Sequence, residues 1–174
     1  MMDLQNDGLM TRRRVLGGAG ALALAPCMAM ASRPERITWD TLIPPGVPYS
    51  EIIGEGEMDE QNDTWSPIYD SNATKLNEAL AGAYIQMPGY IVPLDLTSSG
   101  TSAFILVPYV GACIHTPPPP PNQLVYTTID PPWQIEDPWD AVWVTGTSST
   151  HIQTTDIAET GYTLRADKIE LYTW

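Results

Sequence analysis

Short apolar runs separated by glycine- and proline-rich turns dominate the second half of the chain. Residues 103–107 read Ala-Phe-Ile-Leu-Val, a continuous apolar run that is typical of a strand buried on both faces. Further strand-like segments, rich in β-branched and aromatic residues, are found at 82–85, 89–94, 109–115, 124–129, 141–144, 162–166 and 169–172. At least five short strands with such turns predict a small β-barrel or β-sandwich.

One segment, residues 71–81, has the pattern of a short helix or turn. Five or six strands with a single short helix suit an OB-like barrel, so we predict an all-β fold with minor helix, a small closed or partly open barrel. Residues 33–47 are expected to form an extended lead-in. Residues 51–65 are rich in Glu and Asp, and we expect a solvated arm there because the regular spacing of a calcium loop is missing.

The first 31 residues have the composition of an export signal. An arginine-rich start at residues 11–14 precedes a short apolar run at 15–25, and Ala29-Met30-Ala31 matches the site that signal peptidase cuts. The two leading arginines also fit a twin-arginine signal. The apolar run is too short to span a membrane, which takes about 20 residues. We therefore predict a signal peptide at 1–31, a single domain at 32–174, and a periplasmic or secreted protein without a transmembrane segment.

Charge and cysteine content narrow the choice of partners. The chain has 8 basic and 21 acidic residues, and residues 32–174 retain 5 and 19 of them, a net charge of −14. Nucleic acid is therefore not an expected partner, because phosphate binding needs clustered Lys and Arg. Cys27 lies within the predicted signal, which could alternatively be a conventional secretory or lipoprotein signal. Its removal leaves Cys113 as a single thiol that is buried, bound to a metal or reactive.

Four motifs between residues 82 and 171 resemble a known family. The longest, residues 104–123, reads FILVPYVGACIHTPPPPPNQ, and it is preceded by GYIVPL at 89–94. It is followed by VWVTG at 142–146 and TGY at 160–162. These motifs resemble the DUF3299 family of bacterial exported proteins, although Val110 stands where an aromatic residue is usual. The resemblance implies export and a link to ABC-transporter and metal-related genes, but no established activity.

Cys113 and His115 are the residues of the longest motif that have metal-binding chemistry. In a strand, residues i and i+2 point to the same face, about 6.5–7 Å apart, so both side chains can reach one ion. A thiolate with an imidazole suits a transition metal, and zinc or copper is the candidate cofactor. His151 and a carboxylate are the obvious additional ligands.

Two other interpretations of this pair remain open at the level of sequence. Cys113 follows an apolar run and is of a residue type that is often buried, while His115 can hydrogen-bond the carbonyls of the following prolines. Both residues would then be structural. Alternatively, they form a reactive Cys-His dyad that a third group such as Asn122 orients.

Five consecutive prolines, Pro117 to Pro121, predict a polyproline II segment. At about 3.1 Å per residue, this segment would be a stiff strap of roughly 15 Å. We expect the strap to hold Asn122 and Gln123 beside Cys113 and His115, so that the four residues form one site.

The motifs of common enzyme classes are missing from the sequence. It contains no G-x-S-x-G, H-E-x-x-H, C-x-x-C, P-loop or dinucleotide fingerprint. We predict no catalytic residues and an exported accessory or binding protein that handles a transition metal through the Cys-x-His segment. The alternative is an adaptor or scaffold of an ABC-transporter-associated envelope system, with a structural Cys-His-polyproline segment. The expected partners are a metal ion and an envelope protein or transporter, and a thiol enzyme is the third hypothesis.

Overall fold

Strands form most of the regular structure in the computed structural model, which describes residues 33–59, 64–112, 118–137 and 139–172. The strands are β1 (Glu35–Arg36), β2 (Ile52–Asp59), β3 (Thr64–Tyr69), β4 (Tyr84–Pro93), β5 (Thr101–Val107), β6 (Val125–Trp133), β7 (Ala141–Thr154) and β8 (Glu159–Leu171). The 3-10 turns are η1 (Trp39–Leu42), η2 (Glu78–Leu80) and η3 (Pro121–Gln123). The predicted all-β fold is confirmed, and η2 is the short helical element within 71–81. The predicted signal peptide, 1–31, lies outside the described residues.

Five of the described strands close into a barrel. β4 is antiparallel to β5 and β7, β5 is antiparallel to β6, β7 is antiparallel to β8, and β6 runs parallel to β8. Every barrel strand thus has two neighbours. Numbered along the chain, the five strands follow the order 1-2-3-5-4 around the barrel, with strands 3 and 5 parallel, as in an OB fold. The predicted OB-like barrel is confirmed, and β1 adds a short parallel pairing to β4. No helix among the described residues is long and apolar enough to cross a membrane.

Two-residue alternation decides which side chains fill the barrel. Along β4, Ile85 and Met87 are buried while their neighbours are partly exposed, and both join Phe104 and Leu106 of β5 in the main hydrophobic cluster. Gly89 lies at an inward position of the same strand, where a Cβ atom would come within 2.8 Å of Leu106 Cγ. Glycine at this position therefore allows β4 and β5 to pack closely.

Strand β5 is buried on both faces, as its apolar run predicted. Residues 104–107 are almost inaccessible to solvent, and Ile105 and Val107 form a second cluster with Ala112 and Leu124. This cluster lies on the outer side of β5, because these two residues alternate with those that face the barrel interior. The chain segment between Ala112 and Leu124 is therefore attached at both ends to the outside of the barrel.

The prediction that a strand continues over residues 109–115 is wrong for the part of that segment that the structure describes. β5 ends at Val107, and the following residues form bends and turns. Pro108 lacks a backbone N–H with which to continue the ladder, and Gly111 has a φ of 78°, a conformation that favours glycine. The apolar composition of 109–115 resembles a strand, but these two residues redirect the chain.

The acidic segment predicted to be a solvated arm is an exposed β-hairpin. β2 and β3 are antiparallel and form a two-stranded sheet that is separate from the barrel sheet. The register shifts twice along β2, between Ile52 and Gly54 and between Gly54 and Glu57. Alternate residues of β3 are partly buried, whereas nearly all described side chains of β2 are exposed. We refer to β2 and β3 together as the acidic hairpin.

Candidate functional site

Cys113 and His115, the predicted metal ligands, lie outside the described residues. The chain on either side of them is described. Ala112 is fully buried in the cluster outside β5, and the carbonyl of Pro118 accepts a hydrogen bond from the Tyr69 hydroxyl. The described residues that flank this segment on either side, Ala112 and Pro118, are thus both anchored.

The proline strap is shorter than the sequence predicted. Pro119 and Pro120 are buried, and Pro120 has φ −62° and ψ 157°, which are polyproline II values. Pro121 does not continue this conformation but begins η3, so the expectation of a rod from Pro117 to Pro121 is wrong at its last residue. A fixed φ near −65° suits the first position of a helical turn as well as an extended strap, and the composition alone could not distinguish the two. Pro117 lies outside the described residues.

Asn122 and Gln123 are only 2% exposed, and both hold other segments in place. The Asn122 side-chain amide donates to the carbonyls of Asn72 at 2.9 Å and Lys75 at 3.2 Å. The Gln123 amide donates to the Trp39 carbonyl at 3.1 Å. These bonds join η3 to the turn after β3 and to η1. Asn122 Oδ1 is buried and has no hydrogen-bond partner among the described residues.

Tyr162 joins the same two segments to the barrel. Its hydroxyl donates to the Leu42 carbonyl at 2.5 Å and accepts from the Asn77 backbone N–H at 2.6 Å. Burial raises the pKa of Tyr162 to about 12, so the hydroxyl keeps its proton at neutral pH. The preceding Gly161 leaves room for η3, since a Cβ atom there would lie 2.9 Å from the Pro121 carbonyl oxygen. We refer to η1, residues 72–77, η3 and this part of β8 as the η1–η3 junction.

His151, the third predicted metal ligand, lies exposed on β7. It borders a shallow polar depression on the barrel surface whose other lining residues are Tyr126, Thr128, Ser149, Gln153, Thr163, Leu164 and Arg165. His151 thus shares this depression with the cationic Arg165, and no carboxylate is among the described residues that line it. Within the described ranges, no three His, Cys, Asp or Glu side chains are grouped so that they could hold a metal ion.

An open cleft of about 230 Å³ lies between the acidic hairpin, the strap and the turn that joins β7 to β8. Its described lining residues are Trp65, Ser66, Pro67, Tyr69, Pro118, Pro119, Pro121, Leu124, Ile157, Ala158 and Glu159. We call it the strap cleft. Its walls are mostly aromatic and proline side chains, and Glu159 is the charged group among its lining residues. Such a surface suits an apolar or amphipathic ligand.

Three tyrosines influence one another beside this cleft. Partial burial in the first place, together with the neighbouring Tyr109 and Tyr49, raises the pKa of Tyr69 to about 12. The pKa of Tyr49 is also raised, first by partial burial and then by Tyr109 and Asp40. Tyr49 and Tyr69 therefore stay protonated at neutral pH, and each hydroxyl can donate a hydrogen bond.

The comparisons with known proteins place the chain in a family. The sequence model of the family described as "Protein of unknown function (DUF3299)" matches residues 39–171. The chain belongs to the DUF3299 family. The crystal structure of a DUF3299 family protein from Pseudomonas aeruginosa PAO1 is similar, with 33% sequence identity, coverage of 82% of this chain and 99% of that chain, and a TM-score of 0.69. No curated protein matches this chain.

Several residues of the DUF3299 motifs have structural roles in the described part of the chain. Gly89 and Gly161 permit close packing, and Tyr162, Asn122 and Gln123 hold backbone groups of other segments. These roles explain much of the GYIVPL, NQ and TGY motifs without any ligand.

Sequence reasoning missed the wall of the strap cleft that β3 provides. Trp65, Pro67 and Tyr69 alternate, which is the two-residue period of a strand with one covered face. This signal was available, but the many Glu and Asp residues just before it favoured a solvated arm. The partner of the covered face, the strap, is about 50 residues further along the chain, and local patterns do not show such a pairing.

Proposed function

We propose that this DUF3299 protein is an exported, non-enzymatic accessory protein of the adaptor type, which binds a partner in the strap cleft. The observation that carries this proposal is the cleft itself, an open space of about 230 Å³ whose described walls are mostly aromatic and proline side chains. Ligand sites are typically concave and mostly apolar, with few polar groups that fix orientation.

The walls of the strap cleft are held in position before any ligand binds. The Tyr69 hydroxyl donates to Pro118, and Trp65 Nε1 donates to the Glu55 carbonyl. The prolines have fixed φ angles and little side-chain freedom. A preorganised surface of this kind loses little conformational entropy on binding, which favours a binding role.

Site-specific photo-crosslinking in the native host tests this function. A photoreactive residue at Ile157, which lines the cleft from the β7–β8 turn, should give a discrete crosslinked product, and Trp65→Ala should reduce its yield about tenfold by removing an aromatic wall. The same residue at Ser99, in the exposed β4–β5 turn, is the control. No product at Ile157, or an identical set of products at both positions, would contradict the proposal.

Metal handling through Cys113 and His115 is the second candidate function. It is supported by the anchored residues on both sides of the segment and by the net charge of −14 over residues 32–174, which attracts cations. Elemental analysis of protein purified from its own host decides this question. Stoichiometric metal that is lost in Cys113→Ala supports metal handling, whereas metal-free protein with a slowly reacting thiol favours a structural segment.

Export by the twin-arginine route is part of the proposal. It rests on the arginines at 12 and 13, the short apolar run and the Ala-Met-Ala site. Replacing Arg12 and Arg13 with lysines should trap the precursor in the cytoplasm. Unchanged export of this variant would point to a conventional secretory signal.

A further inference from the structure

Three isoleucines at the same end of the acidic hairpin, two at the start of β2 and one near the end of β3, are exposed. Ile52, Ile53 and Ile68 are 41%, 66% and 55% exposed. Ile68 lies opposite Gly54 in the β2–β3 register, and its Cδ1 is 3.2 Å from where a Gly54 Cβ would be. The Ile68 side chain therefore lies over Gly54, the residue that follows the two isoleucines of β2. We call these three residues the isoleucine patch.

The hairpin edge is protected against strand addition, but the isoleucine patch is not covered. β2 contains two register shifts within eight residues, and Gly56 has a φ of 65°. Bulges and charged side chains along an edge strand disfavour pairing with another strand. Exposed isoleucines bring no benefit to a solvated hairpin. Three such side chains exposed on a protected edge point to contacts with the surface of another molecule.

The charge around the patch indicates the kind of molecule. Glu51, Glu55 and Glu57 flank the isoleucines, and residues 37–74 contain eight acidic residues and no Lys, Arg or His. A second copy of the chain docked here would bring like charges together in an apolar contact, which is unfavourable. A basic partner would instead gain from charge complementarity.

We propose that the isoleucine patch docks a partner protein whose contact surface is apolar and surrounded by Lys and Arg. The patch borders the strap cleft at Ile52, which pairs with Tyr69, but none of its three residues is among those that line the cleft. Trp65, Pro67 and Tyr69 of β3 line the cleft, while Ile68 points to the opposite face of the same strand. The proposal therefore goes beyond the proposed function and does not depend on it.

A fluorescent amphipathic peptide of about 14 Leu and Lys residues is a suitable probe of this chemistry. We expect it to bind the protein lacking residues 1–31, with a dissociation constant measured by fluorescence anisotropy. Ile53→Ser/Ile68→Ser should weaken binding about tenfold or more, because the peptide loses its apolar contact. Raising the salt from about 50 to about 300 mM should weaken it further, and a matched Leu/Glu peptide should not bind.

The control variant is Leu96→Ser/Leu171→Ser, which removes two similarly exposed leucines (66% and 49%) elsewhere on the surface. It should change peptide affinity less than about twofold. Equal weakening by both double variants, or none by the isoleucine variant, would overturn the proposal. Sedimentation equilibrium of the wild-type chain gives a second test. If the wild-type chain is a dimer and the Ile53→Ser/Ile68→Ser variant is a monomer, the patch binds a second copy of the chain. This result would also overturn the proposal.

Discussion

The η1–η3 junction and the acidic hairpin use adjacent parts of the chain in opposite ways. In the junction, Leu42 is buried in the main core, and its carbonyl accepts a hydrogen bond from the Tyr162 hydroxyl. The hairpin begins only ten residues later, at Ile52, and its isoleucines are exposed. Both regions contain large aliphatic residues. The difference is in the partners, because distant segments supply buried hydrogen-bonding groups to the junction, whereas β2 pairs only with β3 in the described part of the chain.

This contrast separates two uses of apolar side chains. Those of the junction stabilise the fold, because they are removed from water together with paired polar groups. Those of the isoleucine patch contribute little to the stability of the isolated chain and are available for a partner. The contrast therefore predicts large stability effects in the junction and small ones in the hairpin.

Leu42→Ala should have the largest effect. Leu42 is 1% exposed in the main hydrophobic cluster, so its truncation should leave a cavity and lower the free energy of unfolding by about 2–5 kcal/mol. Denaturant titration measures this change. Leu96→Ala, at an exposed position, is the matched control and should change the free energy by less than about 0.5 kcal/mol. Similar effects of the two substitutions would mean that η1 is not part of the core.

Tyr162→Phe should have the next largest effect. The substitution keeps the ring but leaves the Leu42 carbonyl and the Asn77 N–H without their partner, at a cost of about 1–3 kcal/mol. Tyr84→Phe is the control, because the Tyr84 hydroxyl makes no hydrogen bond within the described residues, and it should be nearly neutral. Equal effects of the two substitutions would assign the loss to the ring environment instead of the hydrogen bonds.

The pH dependence of the stability of the wild-type protein and of Tyr162→Phe sharpens this test. The folded pKa of Tyr162, about 12, lies above its ordinary value of 10, so the folded state binds this proton more tightly than the unfolded state. The contribution is fully present below about pH 10 and is lost as the pH rises towards 12. Wild-type protein should therefore lose stability in this window more steeply than Tyr162→Phe. If the stability of the two proteins falls in parallel between about pH 10 and 12, the pKa of Tyr162 is not raised by folding.

The two regions also show how far the sequence could be interpreted. The barrel strands and the OB-like class of fold were accessible, because apolar runs such as 103–107 report burial locally. The order of the strands around the barrel was not, because it depends on pairings between distant segments. The junction was not accessible, since Tyr162 meets Leu42 across 120 residues, and no local pattern shows such a contact. For the candidate site, the sequence singled out the strap, whose described prolines line the cleft, but not the β3 wall opposite them. Asn122 and Gln123 were predicted to belong to the same site, but their side chains bond to the η1–η3 junction and do not line the cleft. The prediction of a strand over residues 109–115 was wrong for its described part, because the apolar composition outweighed the turn signals of Pro108 and Gly111.

Asp95→Asn should have a smaller effect than either junction variant. Asp95 accepts hydrogen bonds from the Thr101 and Ser102 hydroxyls and from the backbone N–H groups of Ser102 and Ala103, at the partly exposed turn between β4 and β5. These bonds hold the pKa of Asp95 well below its ordinary value of 3.8, and those from the Ser102 and Thr101 hydroxyls have the largest effect. A lowered folded pKa means that the stabilisation is present above about pH 4 and is lost as the pH falls below it. Asp95→Asn should lack this acid-dependent component, as measured by thermal unfolding between neutral pH and about pH 3. If wild type and variant lose stability in parallel, other carboxylates account for the acid response.

Ile53→Ser should have the smallest effect on stability, and this is the sharpest test of the contrast. Ile53 is 66% exposed on a strand whose described side chains are nearly all in solvent, so the free energy of unfolding should change by no more than about 0.5 kcal/mol. The same substitution should make the chain more soluble, because it removes an exposed β-branched apolar residue from an edge strand. Its precipitation threshold in ammonium sulfate should rise, whereas that of Leu42→Ala should fall as the unfolded population increases. A loss of stability from Ile53→Ser comparable to that from Leu42→Ala would show that the hairpin is packed against the barrel. The isoleucines would then stabilise the fold and would not be free for a partner.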